Sequence, residues 1–212
     1  MSTTAYQHGY ESLSGFNEAF RQLVGAAPMS TGTGIVLQVT RVLTPLGPMI
    51  AGGTDDALYF FEFSDRRRLE RQLDRLRNRL DCVLVPGDNG LLKRTTAEIE
   101  AYFAGTLQQF SIPLVAPGTE FQQTVWDELR RIPYGETRSY ADVARAIGRA
   151  SAVRAVARAN GDNRMAIFIP CHRVVGSDGR LTGYGGGLWR KQHLLDLESR
   201  VSPGGLFGQG GA

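Results

Sequence analysis

The stretch Ile169-Pro170-Cys171-His172-Arg173-Val174-Val175 decides how this chain is read. It sets a thiol beside an imidazole, the minimum equipment for an activated sulfur nucleophile. Ile167, Phe168 and Ile169 precede the pair, and Val174 and Val175 follow it. Such apolar flanks predict a buried strand that holds a reactive group in place. Neighbours on a strand point to opposite faces, so a turn at Pro170 is needed to bring sulfur and ring to one side. Without that turn, Cys171 is a buried core cysteine and His172 a surface residue.

The residues just before the pair read as helices. Thr119-Glu120-Phe121-Gln122 fits a capping box, and the helix it opens runs to Arg131 with Phe121, Val125 and Leu129 inward. Pro133-Tyr134-Gly135-Glu136 is a turn. Ser139 caps a second helix, Tyr140 to Ile147, ended by Gly148. Ser151 caps a third, Ala152 to Asn160, closed by Gly161. Three short helices with tight turns predict a helix-turn-helix. The third is slim, because alanines let its backbone approach another surface closely. Its arginines, Arg154 and Arg158, suit it to the minor groove, which is only about 6 Å wide. The same composition also fits a plain packing helix with solvated arginines.

Charge is placed unevenly. Within Arg130–Arg173 there are 9 basic and 3 acidic residues, although the whole chain carries a net charge of only +3. That local excess suits a phosphate backbone. No run approaches the ~18 apolar residues of a membrane span. Met1 to Gly15 hold no apolar segment, so no secretory leader is expected. The two cysteines are Cys82 and Cys171. A free Cys171 suits a reducing cytoplasm, the expected location.

Residues 35–118 predict a small α+β unit. Strands are expected over Ile35–Leu43, Met49–Ala51, Ala57–Phe63 and Cys82–Val85. A helix starting at Asp65 puts Leu69, Leu73, Leu76 and Leu80 on one packing face. Another is expected over Thr96–Phe103. Cys82 reads as a small buried apolar residue. No catalytic constellation is expected in this region.

Thr119 to Glu198 resembles the O6-alkylguanine-DNA alkyltransferases. The motifs are Pro133-Tyr134-Gly135-Glu136, Ser139-Tyr140, Val153-Arg154-Ala155-Val156, Ala159-Asn160-Gly161, Asn163, Ile169 through Val175, Gly183-Tyr184-Gly185-Gly186-Gly187, and Lys191 through Glu198. Residues 35–118 resemble that family's ribonuclease-H-like N-terminal domain more loosely. Residues 9–28 resemble the closing helices of the AraC-type helix-turn-helix found in bifunctional adaptive-response regulators. The expected organisation is a helix-turn-helix remnant and linker over 1–34, then an N-terminal domain over 35–118. A mainly helical, winged-helix-like catalytic domain over 119–200 and a disordered glycine-rich tail over 201–212 complete it. The fold class is α+β.

The resemblance implies a single-turnover methyltransferase acting as a monomer on double-stranded DNA that carries alkylated guanine, and on O4-alkylthymine in some members. Cys171 is the implied alkyl acceptor, His172 its base, Glu198 the group orienting His172, and Asn163 the brace of the turn. Tyr140 assists extrusion of the nucleotide and departure of the base. Arg154 fills the vacated stack, and Ser151, Ala155, Ala157 and Arg158 line the DNA face. Tyr184, Met165, Val174 and Gly185 form the pocket. Glycine at 185, where relatives often carry serine, keeps the N–H that reaches O6 and leaves more room. Arg164-Met165 follow Asn163 where several relatives begin with proline. Some relatives bind zinc in the N-terminal domain. No Cys/His cluster stands there in this chain, so no metal and no cofactor is expected. Two other classes stay open on the residues alone: a cysteine hydrolase using Cys171, His172 and Glu198, and a DNA-binding protein without catalysis.

Overall fold

The computed structural model describes residues 34–201. The AraC-like reading of 9–28 and the reading of the glycine-rich tail beyond 201 lie outside the described residues. The fold is α+β, and the described chain divides into two compact units. Residues 34–100 and 111–117 form the first, and residues 101–110 and 118–201 the second.

In the first unit, β1 (Ile35–Thr44), β2 (Gly47–Gly53) and β3 (Leu58–Phe63) make an antiparallel meander. Helix α1 (Leu69–Leu80) then leads to β4 (Cys82–Pro86), which pairs parallel with β1, giving the order β3-β2-β1-β4. The leucine stripe behaves as its spacing predicts. Leu69, Leu73 and Leu76 are buried against Leu37, Val39, Ile50, Phe60 and Leu84, and Leu80 packs on the edge of that cluster. Cys82 belongs to the same cluster and is a free thiol.

Two helix starts differ from expectation. Helix α1 begins at Leu69, not Asp65, because Arg68 sits in the left-handed region at φ 70° and breaks the run. The next helix, α2 (Gly90–Phe103), begins six residues before Thr96. Asn89 accepts from the Leu92 N–H at 2.8 Å, acting as the cap. Thr95 and Thr96 instead donate back to the Leu91 and Leu92 carbonyls at 2.9 and 3.1 Å, as threonines do inside a helix.

Gly52 shows how tightly the sheet is packed. A Cβ there would lie 2.1 Å from the Phe60 ring. Gly52→Ala is expected to lower stability by about 1–3 kcal/mol through overpacking, read as a lower urea midpoint at unchanged slope.

The second unit holds α3 (Glu120–Arg130), β5 (Arg138–Ser139), α4 (Tyr140–Ala146), α5 (Val153–Gly161), β6 (Val174–Val175) and α6 (Leu188–Val201). Two of the three expected capping residues open their helices. Thr119 and Gln122 bond reciprocally, and Ser139 does the same with Asp142. The inward face of α3 includes Trp126, buried along with Val125 and Leu129, while Phe121 is half-buried. The Trp126 indole donates to the Ala159 carbonyl at 2.9 Å and ties α3 to α5. Ser151 does not cap α5. A 3₁₀ turn (Ala150–Ala152) precedes that helix, and the Ala152 N–H already bonds Arg149 at 2.7 Å. Gly161 is the last residue of α5 rather than its stop, and Asp162 follows as the cap.

The apolar run 167–169 is not a strand. It forms successive tight turns, and only Val174–Val175 pairs, parallel with Arg138–Ser139. Among the described residues, no helix is long and apolar enough to cross a membrane.

Candidate active site

The turns before Cys171 solve the problem that a strand would pose. Ile167 takes φ 73°, a conformation β-branched residues avoid, and is 1% exposed. The Phe168 N–H bonds the Ala166 carbonyl at 2.9 Å, and the Cys171 N–H bonds the Ile169 carbonyl at 2.7 Å. Pro170, at φ −78° and ψ 60°, is therefore the centre of an inverse γ-turn. Cys171, His172 and Arg173 follow as one 3₁₀ turn, all buried. His172 is 0% exposed, so it is not the surface residue that a bare Cys-His pair would allow.

Asn163 braces this turn. Its Oδ1 accepts from the Met165 N–H at 2.9 Å, which fixes the amide's orientation. Its Nδ2 then donates to the Ile169 carbonyl at 2.9 Å and to the Cys171 sulfur at 3.1 Å. A donor aimed at sulfur favours the thiolate. Asn160 adds a longer contact, 3.4 Å, to the Cys171 carbonyl. The phenol of Tyr140 is raised by burial and by the Cys171 charge, with the Thr182 and Asn160 side chains opposing.

Behind His172 lies a carboxylate with a full set of donors. Glu198 is 0% exposed. Its Oε1 meets His172 Nε2 at 2.8 Å, the Tyr102 hydroxyl at 2.7 Å and Arg173 Nη2 at 2.9 Å. Its Oε2 accepts from Arg173 Nε at 2.8 Å and from the Gly135 N–H at 3.2 Å. Gly135 has φ 78° in the turn closed by the Glu136 N–H on the Pro133 carbonyl. That left-handed position favours glycine, and it aims the N–H at the carboxylate. Burial pushes the Glu198 carboxyl up, but His172 and Arg173 together outweigh it and hold the group well below the usual carboxylate range. Burial pushes His172 down, against the pull of Glu198.

The tautomer follows. An ionised Glu198 only accepts, so the neutral imidazole carries its proton on Nε2. That leaves the lone pair on Nδ1, which is buried and has no hydrogen-bond partner among the described residues. An acceptor nitrogen is thus held one residue from the thiol.

The other expected site residues divide in two. Met165 is bound to Asn163, and the Val174 carbonyl accepts from Lys191 at 2.5 Å. Tyr184 is half-buried and Gly185 exposed on the glycine-rich loop. Ser151, Arg154, Ala155, Ala157 and Arg158 are all exposed on the 3₁₀ turn and α5, separate from the buried carboxylate cluster. Among the described residues, no group of three or more His, Cys, Asp or Glu could hold a metal.

Three participants carry no role in the sequence reading. Tyr102 is a lone contributor from residues 35–118, where no catalytic constellation is expected. It stands at the end of α2, 96 residues from Glu198, and no local pattern marks it. Arg173 sits inside the matched motif, and its Nη1 also bonds the Ile132 carbonyl at 2.7 Å. Lys191 shares the buried face of α6 with Leu194 and Glu198. A charged residue recurring at helical spacing with a buried leucine was the available signal.

Residues 120–200 match the family described as 6-O-methylguanine DNA methyltransferase, DNA binding domain. The methylated-DNA–protein-cysteine methyltransferase of Mycobacterium tuberculosis is 44% identical over 163 residues, 77% of this chain and 93% of the relative. The enzyme of that name from Methanosarcina barkeri is 42% identical over 156 residues, 73% of this chain and 92% of the relative. The Mycobacterium tuberculosis OGT, solved in complex with DNA, aligns with a TM-score of 0.66 and 40% identity, over 80% of this chain and 97% of that one. With relatives matched over nearly their full length at this identity, the chain belongs to the methylated-DNA–protein-cysteine methyltransferases.

Proposed function

We propose that this chain repairs double-stranded DNA by moving an alkyl group from guanine O6 to Cys171, once per molecule. The observation that carries the reading is the buried thiol on one turn with His172, whose Nε2 is held by Glu198 at 2.8 Å. The proton leaves Sγ for His172 Nδ1 through a bridging water. The thiolate attacks the alkyl carbon in line, the S–C bond forms, the C–O6 bond breaks, and guanine leaves with the electron pair. The thioether resists hydrolysis, so the acceptor is consumed. Asn163 and the imidazolium that forms both favour the thiolate.

A thiol only 7% exposed cannot meet a base inside a duplex, so the nucleotide is flipped into the pocket, at a cost of a few kcal/mol. The exposed face of α5, with Arg154 filling the stack and Ser151, Ala155, Ala157 and Arg158 against the minor groove, serves that step. Tyr140 presses on the 3′ phosphate and bonds N3 of the base. Tyr184 stacks on it, the Cys171 and Val174 carbonyls accept its exocyclic amine, and the Gly185 N–H donates to O6, beside Met165. The order β3-β2-β1-β4 with a helical crossover fits a ribonuclease-H-like first domain, and α3 to α5 with the β5–β6 pair fit a winged-helix-like second. The protein acts as a cytoplasmic monomer.

The test is the intact mass after incubation with a duplex holding one O6-methylguanine. The expected gain is one methylene per chain, mapped to Cys171, with no further reaction. Methyl found on another residue, or soluble product over many cycles, would refute the reading and favour a hydrolase.

A further inference from the structure

One buried charged side chain, held against the residue that ends the Cys171 turn, has no part in the steps above. Lys191 on α6 is 0% exposed. Its ammonium donates to the Val174 carbonyl at 2.5 Å and to the Thr182 carbonyl at 2.7 Å. Among the described residues no carboxylate pairs with it. A buried cation without a counter-charge is costly, because the ammonium has left water without an opposite charge to replace it. It becomes favourable where a negative charge develops next to it.

The two carbonyls belong to different segments. Val174 ends the turn of Cys171, His172 and Arg173. Thr182 opens the loop that carries Tyr184 and Gly185. One ammonium therefore sets the spacing of both segments. The Val174 carbonyl keeps a second lone pair, and the first, taken by Lys191, fixes where the second points.

We propose that Lys191 is a positioning residue for the transfer: it ties the Cys171 turn to the Tyr184–Gly185 loop and gives the thiolate a cation to face. The proposal rests on Cys171 being the acceptor. Burial brings the Lys191 ammonium down to about 8, and the Cys171 charge pulls it back up. That coupling is mutual, so the ammonium favours the thiolate as much as the thiolate favours it. The other titratable and charged groups around the pair are His172, Tyr140 from α4, and Glu198 and Arg173 behind His172. Lys191 also pushes His172 down, which helps keep its Nδ1 free to take the proton. Lys191 keeps its own proton throughout.

Lys191→Met, Lys191→Gln and Lys191→Arg are compared with the parent in two reactions, both followed at Cys171 by peptide mass spectrometry. The first is carbamidomethylation by iodoacetamide across pH, without DNA, with iodide leaving as the S–C bond forms. The second is single-turnover methyl transfer from an O6-methylguanine duplex. In Lys191→Met the iodoacetamide profile moves up by about one pH unit, about tenfold slower at neutral pH, and methyl transfer falls further still. Lys191→Gln shows the same shift and decides the matter if the methionine variant does not fold. Lys191→Arg keeps the parent's profile but recovers methyl transfer only in part, because its longer fork cannot hold both carbonyls at the same spacing. Profiles of the neutral variants that superimpose on the parent's overturn the proposal. An arginine profile shifted as far as the methionine one does so too. Because iodoacetamide reads the thiol directly, a parent that takes no methyl from DNA counts against the proposed function and is distinguishable from a failure of Lys191.

Discussion

Glu198→Ala is expected to lose fold stability and methyl transfer together. The carboxylate is the counter-charge of buried Arg173 and the acceptor for the buried, neutral His172 ring. Removing one partner of a buried pair costs about 3–5 kcal/mol, because the other charge stays behind uncompensated. Tyr102 and the Gly135 N–H lose their acceptor as well. Glu198→Gln separates the two losses. It fills the space and keeps one acceptor oxygen, yet it supplies no charge and turns an amide toward groups that only donate. Its His172 is no longer held with the proton on Nε2. Transfer should drop by roughly 10²–10⁴-fold, the range for removing a base's orienting partner, while stability falls less than in the alanine variant. Urea unfolding and single-turnover transfer measure the two effects. A glutamine variant within twofold of the parent rate would sink the assignment. The sign with pH is fixed by the direction of the shift. The Glu198 carboxyl is held below its ordinary value, so its contribution is present above that value and is lost only as the pH falls through strong acid. The gap between parent and Glu198→Gln should therefore be flat through neutral pH.

Arg154→Ala should act on a different step. Arg154 is exposed in the first turn of α5, and its removal leaves the buried cluster untouched. Substitution at such a surface position usually changes stability by no more than about 0.5 kcal/mol. If the guanidinium fills the gap left by the extruded nucleotide, its loss returns part of the unstacking cost to the reaction. A penalty of about 1.5–3 kcal/mol corresponds to roughly 10–150-fold slower transfer from duplex DNA. A free alkylated base needs no extrusion, so its reaction with Cys171 should fall far less. Equal losses on duplex and free base would mean that the arginine supports the fold of the pocket instead.

Much of the site was legible because it is local. Cys171, His172 and Asn163 lie within nine residues, and Pro170 announced the turn that the structure contains. The capping box at Thr119 and the cap at Ser139 are short-range chemistry and stand where they were read. The leucine stripe of α1 needed only helical period. What the sequence concealed depends on long-range placement or on backbone detail. Tyr102 reaches Glu198 from a helix whose own pattern is ordinary. Five donors converge on Glu198 from three separate segments, and no spacing encodes that. Residues 167–169 have strand composition, yet the left-handed Ile167 turns them. Thr96 looks like a helix start until Asn89 is found capping one turn and more upstream.

The saturation of Glu198 also bears on ionic strength. Mobile ions weaken attraction between charges that water can reach, and the Debye length is already only about 8 Å at physiological salt. The arginines on α5 are exposed, and in the proposed repair their hold on the phosphate backbone relaxes as salt displaces it. The carboxylate cluster is sealed, with no face open to ions. On the proposed reading, salt separates search from chemistry, loosening the grip on DNA while the pairing of His172 with Glu198 stays as it was.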